Sequence, residues 1–290
     1  MREFVLLTDS CCDLSAEMVQ ELGISVLPMR LQMGDTVYRN LPDGSEISAH
    51  TFYDRLRAGE TAVTAAANVG DFHEQMRQIL EAGKDVLYLA FSSALSTTYQ
   101  SACIATEDLQ PEFPEAQILV VDTRCASLGQ GLLVYLCAQE QKKGRSCQEV
   151  RDFAEGTKGQ LCHWFTVDDL NHLKRGGRIG SATAFFGTML SIKPVLHVDD
   201  EGRLIPVSKT RGRKAALLSL VDQMEQTALD PAHGPVFLSH GDCLEDARFV
   251  EAEIARRFGN QVLSLNEIGP VIGNHSGPGT VALFFLGRDR

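Results

Sequence analysis

Residues 85–102 read DVLYLAFSSALSTTYQSA. After its opening aspartate the segment is apolar through Phe91, the pattern of a short strand buried on both faces. Five hydroxyl side chains then fall within seven residues: Ser92, Ser93, Ser96, Thr97 and Thr98. A helix is predicted from about Ser96 to Leu109. The unit is therefore strand, hydroxyl-rich turn, helix, and the same alternation extends to either side of it.

Toward the N-terminus, EFVLLT (3–8) is another continuously apolar strand. DLSAEMVQELG (13–23) follows as a helix, with Ser15 as its cap and Gly23 as its stop. ISVLPMRLQM (24–33) reads as a strand broken by Pro28, which belongs near a sheet edge. ISAHTFYDRLRAG (47–59), capped by Ser48, and DFHEQMRQILEAG (71–83), ending at Gly83, are helices. Toward the C-terminus, AQILVVD (116–122) supplies a fourth strand, and helices near 127–143 and 146–157 close this half. Short apolar strands alternating with helices predict a parallel sheet covered on both faces.

The second half has another rhythm. LCHWFTV, KPVLHV, RLIPVSK, PVFLSH, QVLSLNE and TVALFFLG are six strand candidates. The turn-rich DDEG (199–202) between the second and third makes a hairpin, so this sheet is mixed. Helices are predicted near 168–175, 180–191, 212–229 and 243–258. The change of rhythm falls at EGTKGQ (155–160), dividing the chain into residues 1–157 and 158–290.

Composition narrows the function. The chain has 290 residues, 44% of them hydrophobic and 22% charged, with a net charge of −11. That balance argues for a soluble globular protein and against a general nucleic-acid binder. No apolar run reaches the roughly 18–20 residues of a membrane span, and the start has no signal-peptide pattern, so a cytoplasmic location is expected. The eight cysteines form no Cys-x-x-Cys pair and are expected as reduced thiols, with no metal site. There is no P-loop, no Gly-x-Ser-x-Gly elbow and no His-Glu-x-x-His. Gly277-Pro278-Gly279 precedes a strand rather than opening a helix after one, so it is not a dinucleotide fingerprint. No cofactor is expected.

Several loops remain. A strand end, hydroxyls and a helix start form an anion site, because the first helical N–H groups lack intrahelical partners and the macrodipole favours negative charge. With no lysine or arginine in the 88–102 loop, one small anion such as a carboxylate fits better than a triphosphate. The alternative is that Ser96 only caps the helix and Thr98 faces solvent. AVTAAANVGDFHE (62–74) brings Thr64 beside three alanines that allow close approach; a plain loop capped at Gly70 or Asp71 is the alternative. Lys174, Arg175 and Arg178, and then Lys209, Arg211, Arg213 and Lys214, are basic islands in an acidic chain, suited to an acidic partner or a phosphate. GPVIGNHSGPGT (269–280) is a Gly/Pro-rich loop whose His275 can donate to an anion.

Thr8-Asp9-Ser10, Thr64 with Gly70 and Phe72, SSALSTTYQSA, DDLNHLKRGGRI, SIKPVL, KTRGRKAAL and GPVIGNHSGPG form an ordered set. By this set the whole chain resembles the DegV family of bacterial fatty-acid-binding proteins, which includes the lipid-carrier subunit of fatty acid kinase. The resemblance implies an N-terminal three-layer α/β/α domain with a four-stranded parallel sheet and a C-terminal two-layer domain with a six-stranded mixed sheet. It implies a long-chain fatty acid in the cleft between them, with the carboxylate on Thr64 and Ser96 and His275 nearby. It also implies a kinase partner docking at Arg211, with Arg178 in the other basic segment. Phe185, Phe186, Met189 and Leu190 are candidates for the lining of the lipid tunnel. The family commonly carries Thr-Ser-Gln-Pro where this chain has Thr64-Ala65-Ala66-Ala67, a more pliable loop with fewer polar groups. The expected function is a non-catalytic lipid carrier that presents a fatty-acid carboxylate to a kinase. The alternatives are a serine-dependent esterase or phosphotransferase using Ser96 and His275, or a carrier of a different amphiphilic acid.

Overall fold

A computed structural model describes residues 2–179, 192–288 and 290. The helix predicted near 180–191 and the tunnel candidates Phe185, Phe186, Met189 and Leu190 lie outside the described residues.

The chain opens with β1 (Phe4–Asp9) and α1 (Ala16–Leu22). Ser15 caps α1 by accepting from the Met18 amide, and Gly23 ends it at φ 66°. Next come β2 (Ser25–Leu27), β3 (Met29–Met33) and β4 (Thr36–Asn40). The segment read as one strand around Pro28 is therefore two. Proline has no N–H for a ladder, and here it marks the point where the chain leaves one sheet and enters another. Strand β2 is the edge of a four-stranded sheet, whereas β3 is central to a three-stranded one.

After α2 (Ala49–Arg57) come β5 (Ala62–Ala65), α3 (Val69–Glu81), β6 (Asp85–Ala90), α4 (Thr98–Leu109) and β7 (Ile118–Asp122). The four-stranded sheet has the order β2-β1-β6-β7 and is parallel throughout. The small sheet, β4-β3-β5, is antiparallel. It was not expected, because β4 is largely exposed and polar and β5 is only four residues long. The cap of α3 also differs from expectation. The cap is Asn68, ahead of the Gly70 or Asp71 read from the sequence, and Asp71, the third residue of the helix, completes a reciprocal capping box with it.

Helices α3 and α4 cover one face of the parallel sheet, where Phe72, Met76, Ala102 and Ala105 pack with Leu7, Val86 and Tyr88. Helix α5 (Leu128–Lys142) and α6 (Cys147–Thr157) lie on the other, with Leu128, Leu132 and Val150 against Leu6, Leu87 and Leu89. The result is three layers.

The remaining elements are β8 (Leu161–Thr166), α7 (Asn171–Arg175), β9 (Ile192–Val198), β10 (Leu204–Arg211), α8 (Arg213–Thr227), β11 (Val236–His240), α9 (Leu244–Phe258), β12 (Ser264–Glu267), α10 (Pro270–Ser276) and β13 (Val281–Leu286). They build a six-stranded sheet of order β10-β9-β8-β13-β11-β12. Only β11 and β12 run parallel; the other pairs are antiparallel. The expected hairpin turns at Asp199–Arg203 with Gly202 at φ 80°. Helices α8 and α9 cover the outer face through Leu217, Leu220, Val250 and Ile254.

The inner face meets α5. Phe165, Phe237, Ala282 and Phe284 belong to the same core as Leu128 and Leu132, and the Tyr135 and Phe237 rings are centred 5.7 Å apart. A helix with apolar partners on both sides needs no polar face. Ten of its residues are buried, among them Gln130 and Glu140, and the others are apolar or glycine. At Gly129 a Cβ would fall 2.1 Å from His163 Nε2 of β8, so only glycine permits this approach. Helix α10 replaces the loop read at 269–280. Pro270 starts it and Gly277, at φ 81°, follows it, which is the usual proline-first, glycine-last arrangement.

Candidate functional site

A cavity partly open to solvent lies where the parallel sheet, the small sheet and the inner face of the six-stranded sheet converge. Most of its wall is apolar, including Met29, Phe91, Leu95, Phe165, Val198, Leu204 and Phe284.

One turn of α10 gives the cavity a direction. Val271, Ile272, His275 and Ser276 all line it. The spacing i, i+1, i+4, i+5 puts them on one helical face, apolar at the first turn and polar roughly 6 Å further along. Thr64 stands opposite. Strand alternation in β5 turns Thr64 inward while its neighbours Val63 and Ala65 are exposed. Thr64 Oγ1 and His275 Nε2 are 2.8 Å apart and hydrogen-bonded.

Ser96 lines the same cavity just before α4. Its Oγ pairs with Thr98 Oγ1 at 2.8 Å and accepts from the Thr98 amide at 3.3 Å. Thr97, the residue at the cap position, makes no side-chain cap bond. Thr98 is fully buried and does not face solvent. Ser92 and Ser93 are engaged elsewhere: Ser92 Oγ donates to Gly202 O at 2.9 Å and Ser93 Oγ to Asp122 Oδ2 at 2.6 Å.

Arg178 joins this polar end. It lines the cavity, donating from Nε to Leu95 O at 3.1 Å and from Nη1 to Gly176 O at 2.6 Å. It also lines an adjoining outer depression, together with Thr64, His275 and Arg175. Thr64, His275 and Arg178 thus form a wall with the cavity on one side and the depression on the other. Arg211, by contrast, is exposed at the end of β10. Seven residues of strand, roughly 23 Å, separate it from Leu204 in the cavity wall. Arg213 of the same basic island turns inward, with Nε on Asp246 Oδ2 at 2.8 Å and Nη2 on Gly279 O at 2.6 Å.

Burial pushes the His275 imidazole down to about 4, and the charge of Arg178 adds to the effect. His275 is therefore neutral near pH 7. Its Nδ1 has no hydrogen-bond partner among the described residues. Nδ1 faces Gly176, where a Cβ would lie 2.2 Å away. Ser96 and His275 do not pair with each other, and no carboxylate orients the ring, so the serine–histidine arrangement of an esterase is not formed among the described residues.

Two buried carboxylates, Asp9 and Asp13, stand behind the cavity, a placement that sequence reasoning missed. Asp9 accepts from Tyr88 OH at 2.7 Å, the Phe91 amide at 2.9 Å and the Cys11 amide at 3.0 Å, while burial raises its pKa. Asp13 accepts from Ser127 Oγ at 2.6 Å and the Gly269 amide at 3.0 Å, and burial lifts it to about 7. Ser127 lines the cavity and also meets Ser239 Oγ of β11 at 3.1 Å, so these groups tie the two larger sheets together. Among the described residues, His50, Asp54 and Asp242 are grouped as metal ligands would be, but they lie at the surface and Arg57 already pairs with Asp242. No described helix is long and apolar enough to cross a membrane.

The family model of DegV, described as uncharacterised proteins, matches residues 3–288. The chain belongs to the DegV family. A DegV domain-containing protein of Clostridium perfringens is 45% identical over 287 residues, covering 99% of this chain and 98% of that one. Among solved structures, a DegV family protein from Thermus thermophilus described for its fatty-acid binding is 32% identical with a TM-score of 0.88, covering 99% of this chain and 100% of that one. DegV of Bacillus subtilis, described as a fatty acid binding protein, is 26% identical with a TM-score of 0.85, covering 99% and 100%. The two-domain architecture of DegV, with its four-stranded parallel and six-stranded mixed sheets, is the fold described above.

Two further cavity residues were missed in the sequence. Arg178 was expected in a basic segment for partner docking rather than in the cavity wall, and Ser276 only as a neighbour of His275. The signal for Ser276 was present in the helical spacing of Val271, Ile272, His275 and Ser276, hidden by the glycines and prolines around it.

Proposed function

We propose that this chain binds a long-chain fatty acid in the cavity between a unit of residues 1–157 and one of residues 158–290. The carboxylate lies against Thr64, Ser96, His275 and Arg178, and the tail runs along Phe91, Leu95, Phe165, Val198 and Leu204. The observation that carries this reading is the polarity of the cavity, an apolar chamber closed at one end by the Thr64–His275 pair with Ser96 and Arg178 beside it. Burying a tail contributes about 0.8 kcal/mol per CH₂, on the order of 10 kcal/mol for a long chain before binding costs. A buried carboxylate is tolerated only where charge-assisted hydrogen bonds replace water. In the tautomer that carries its proton on Nε2, neutral His275 donates to Thr64 Oγ1, which leaves the threonine hydroxyl to donate to the carboxylate. The fatty-acid binding described for the Thermus and Bacillus relatives supports the same ligand class.

The chain has no chemistry of its own in this reading. It presents the carboxylate to a kinase, in the cytoplasm, with exposed Arg211 on the docking surface. Arg211→Ala then leaves lipid affinity unchanged and lowers acyl-phosphate formation with the kinase; equal loss of both would refute that division.

Native followed by denaturing mass spectrometry of the purified protein tests the ligand. Release of one fatty acid per chain is expected. Release of another amphiphilic acid would favour the carrier alternative, for which the small Ala65 and Ala66 in the cavity wall are the motive. No ligand, and no uptake from a mixed fatty-acid pool, would sink the reading.

A further inference from the structure

The hydroxyl of Ser276 has no hydrogen-bond partner among the described residues, although the residue is 6% exposed. An unpaired buried hydroxyl destabilises a fold, and native structures keep few of them. Ser276 is also on the cavity face of α10, one residue beyond His275, at the polar end of that face. Neighbouring groups do not relieve it. Thr280 Oγ1 donates to the Ser276 carbonyl at 3.0 Å and to Gly277 O at 2.9 Å, engaging the backbone around Ser276 but not its side chain.

We propose that Ser276 is a ligand-binding residue whose Oγ–H donates to the carboxylate of the bound acid, as a further hydroxyl of the cradle formed by Thr64 and Ser96. The inference rests on the fatty-acid reading of the cavity and extends it. It explains why a group that costs stability in the empty protein is retained: its hydrogen bond forms only when the acid arrives. Residues kept against local stability are characteristic of binding sites.

The two consequences have opposite signs, which separates this role from a structural one. Ser276→Ala removes the unpaired hydroxyl, so the delipidated variant melts higher than wild type, by about 2–4 °C for a chain of this size. The same variant binds palmitate more weakly, by about 10-fold or more. Its affinity for hexadecan-1-ol, which has an equal chain length and no carboxylate, changes much less. Displacement of a fluorescent fatty acid measures both affinities, and scanning calorimetry measures the melting temperature. A lower melting temperature, or a palmitate affinity within twofold of wild type, overturns the assignment of Ser276 alone. A wild type that binds neither palmitate nor the alcohol overturns this inference together with the reading on which it rests.

Discussion

Thr64 Oγ1 and His275 Nε2 sit 2.8 Å apart although 211 residues separate them in the chain. One comes from the strand β5 of the small sheet and the other from the last turn of α10. If the pair acts as a unit on a carboxylate, removing either member removes the function of both. Thr64→Ala and His275→Ala are each expected to weaken fatty-acid binding about 10- to 100-fold, with the double variant hardly weaker than either single one. Displacement titrations on all four proteins check this; losses that simply add would show the two groups to be independent.

Gly176 offers a way to move His275 without touching it. Its backbone is helical, at φ −71° and ψ −12°, so alanine is compatible with the local conformation. The added Cβ falls 2.2 Å from His275 Nδ1, and the ring must turn away. Gly176→Ala is therefore expected to fold normally and to bind fatty acid roughly 10-fold more weakly. Gly159, with nothing within 4 Å of its Cβ position, is the control, and its alanine variant should bind as wild type does.

The depressed pKa of His275 has a definite sign in stability. The folded form binds fewer protons than the unfolded one between about 4 and 6.5. His275 thus contributes stability that is full above 6.5 and is lost as the pH falls toward about 4, by about 3 kcal/mol in all. Asp13 acts in the opposite direction. Its carboxyl, raised from 3.8 to about 7, favours the folded state at low pH, and that contribution is lost as the pH rises through about 7. Asp9 and the buried His163 and His197 titrate in both proteins, so the difference between wild type and His275→Gln isolates the His275 contribution. Urea unfolding should show wild type gaining stability relative to the variant as the pH rises from about 4 to about 6.5, and a difference that does not change with pH would refute the assignment.

Tyr88 supplies the shortest of the side-chain hydrogen bonds to Asp9, at 2.7 Å, inside a fully buried network. Tyr88→Phe keeps the ring that packs on Phe72 but leaves the carboxylate a donor short. A loss of about 1–3 kcal/mol is expected, readable by denaturant unfolding. An unchanged midpoint would mean that the amides of Phe91 and Cys11 suffice.

Much of the scaffold was legible because both larger sheets are made of strands that announce themselves locally. Asp85–Ala90 is buried at every position and, after its opening aspartate, reads as a continuous apolar run. Pro28 marked a break correctly, but a single sequence does not say that the chain changes sheets there. The small sheet was illegible because β4 is polar and exposed and β5 is too short for an alternating pattern to register. Its loss mattered, since β5 is what aims Thr64. That Thr64, Ser96 and His275 lie near one another came from family resemblance rather than from spacing, and nothing in the local pattern marks Asp9 and Asp13 as buried carboxylates. Burial at a junction of three sheets is what changes their chemistry, and burial of that kind depends on partners far away in the chain.

The placement of α5 bears on how fast a ligand can exchange. Leu128 and Leu132 share one core with Leu6 and Leu87 of the parallel sheet and with Phe237 and Phe284 of the mixed sheet. Prising the sheets apart would wet several large side chains at once, at about 1.5–3 kcal/mol each. That makes wholesale opening a slow event. If the cavity holds a fatty acid as proposed, its loading and unloading are expected to depend on small local excursions at the Thr64–His275 wall, and its residence time should respond to substitutions there far more than to substitutions in α5.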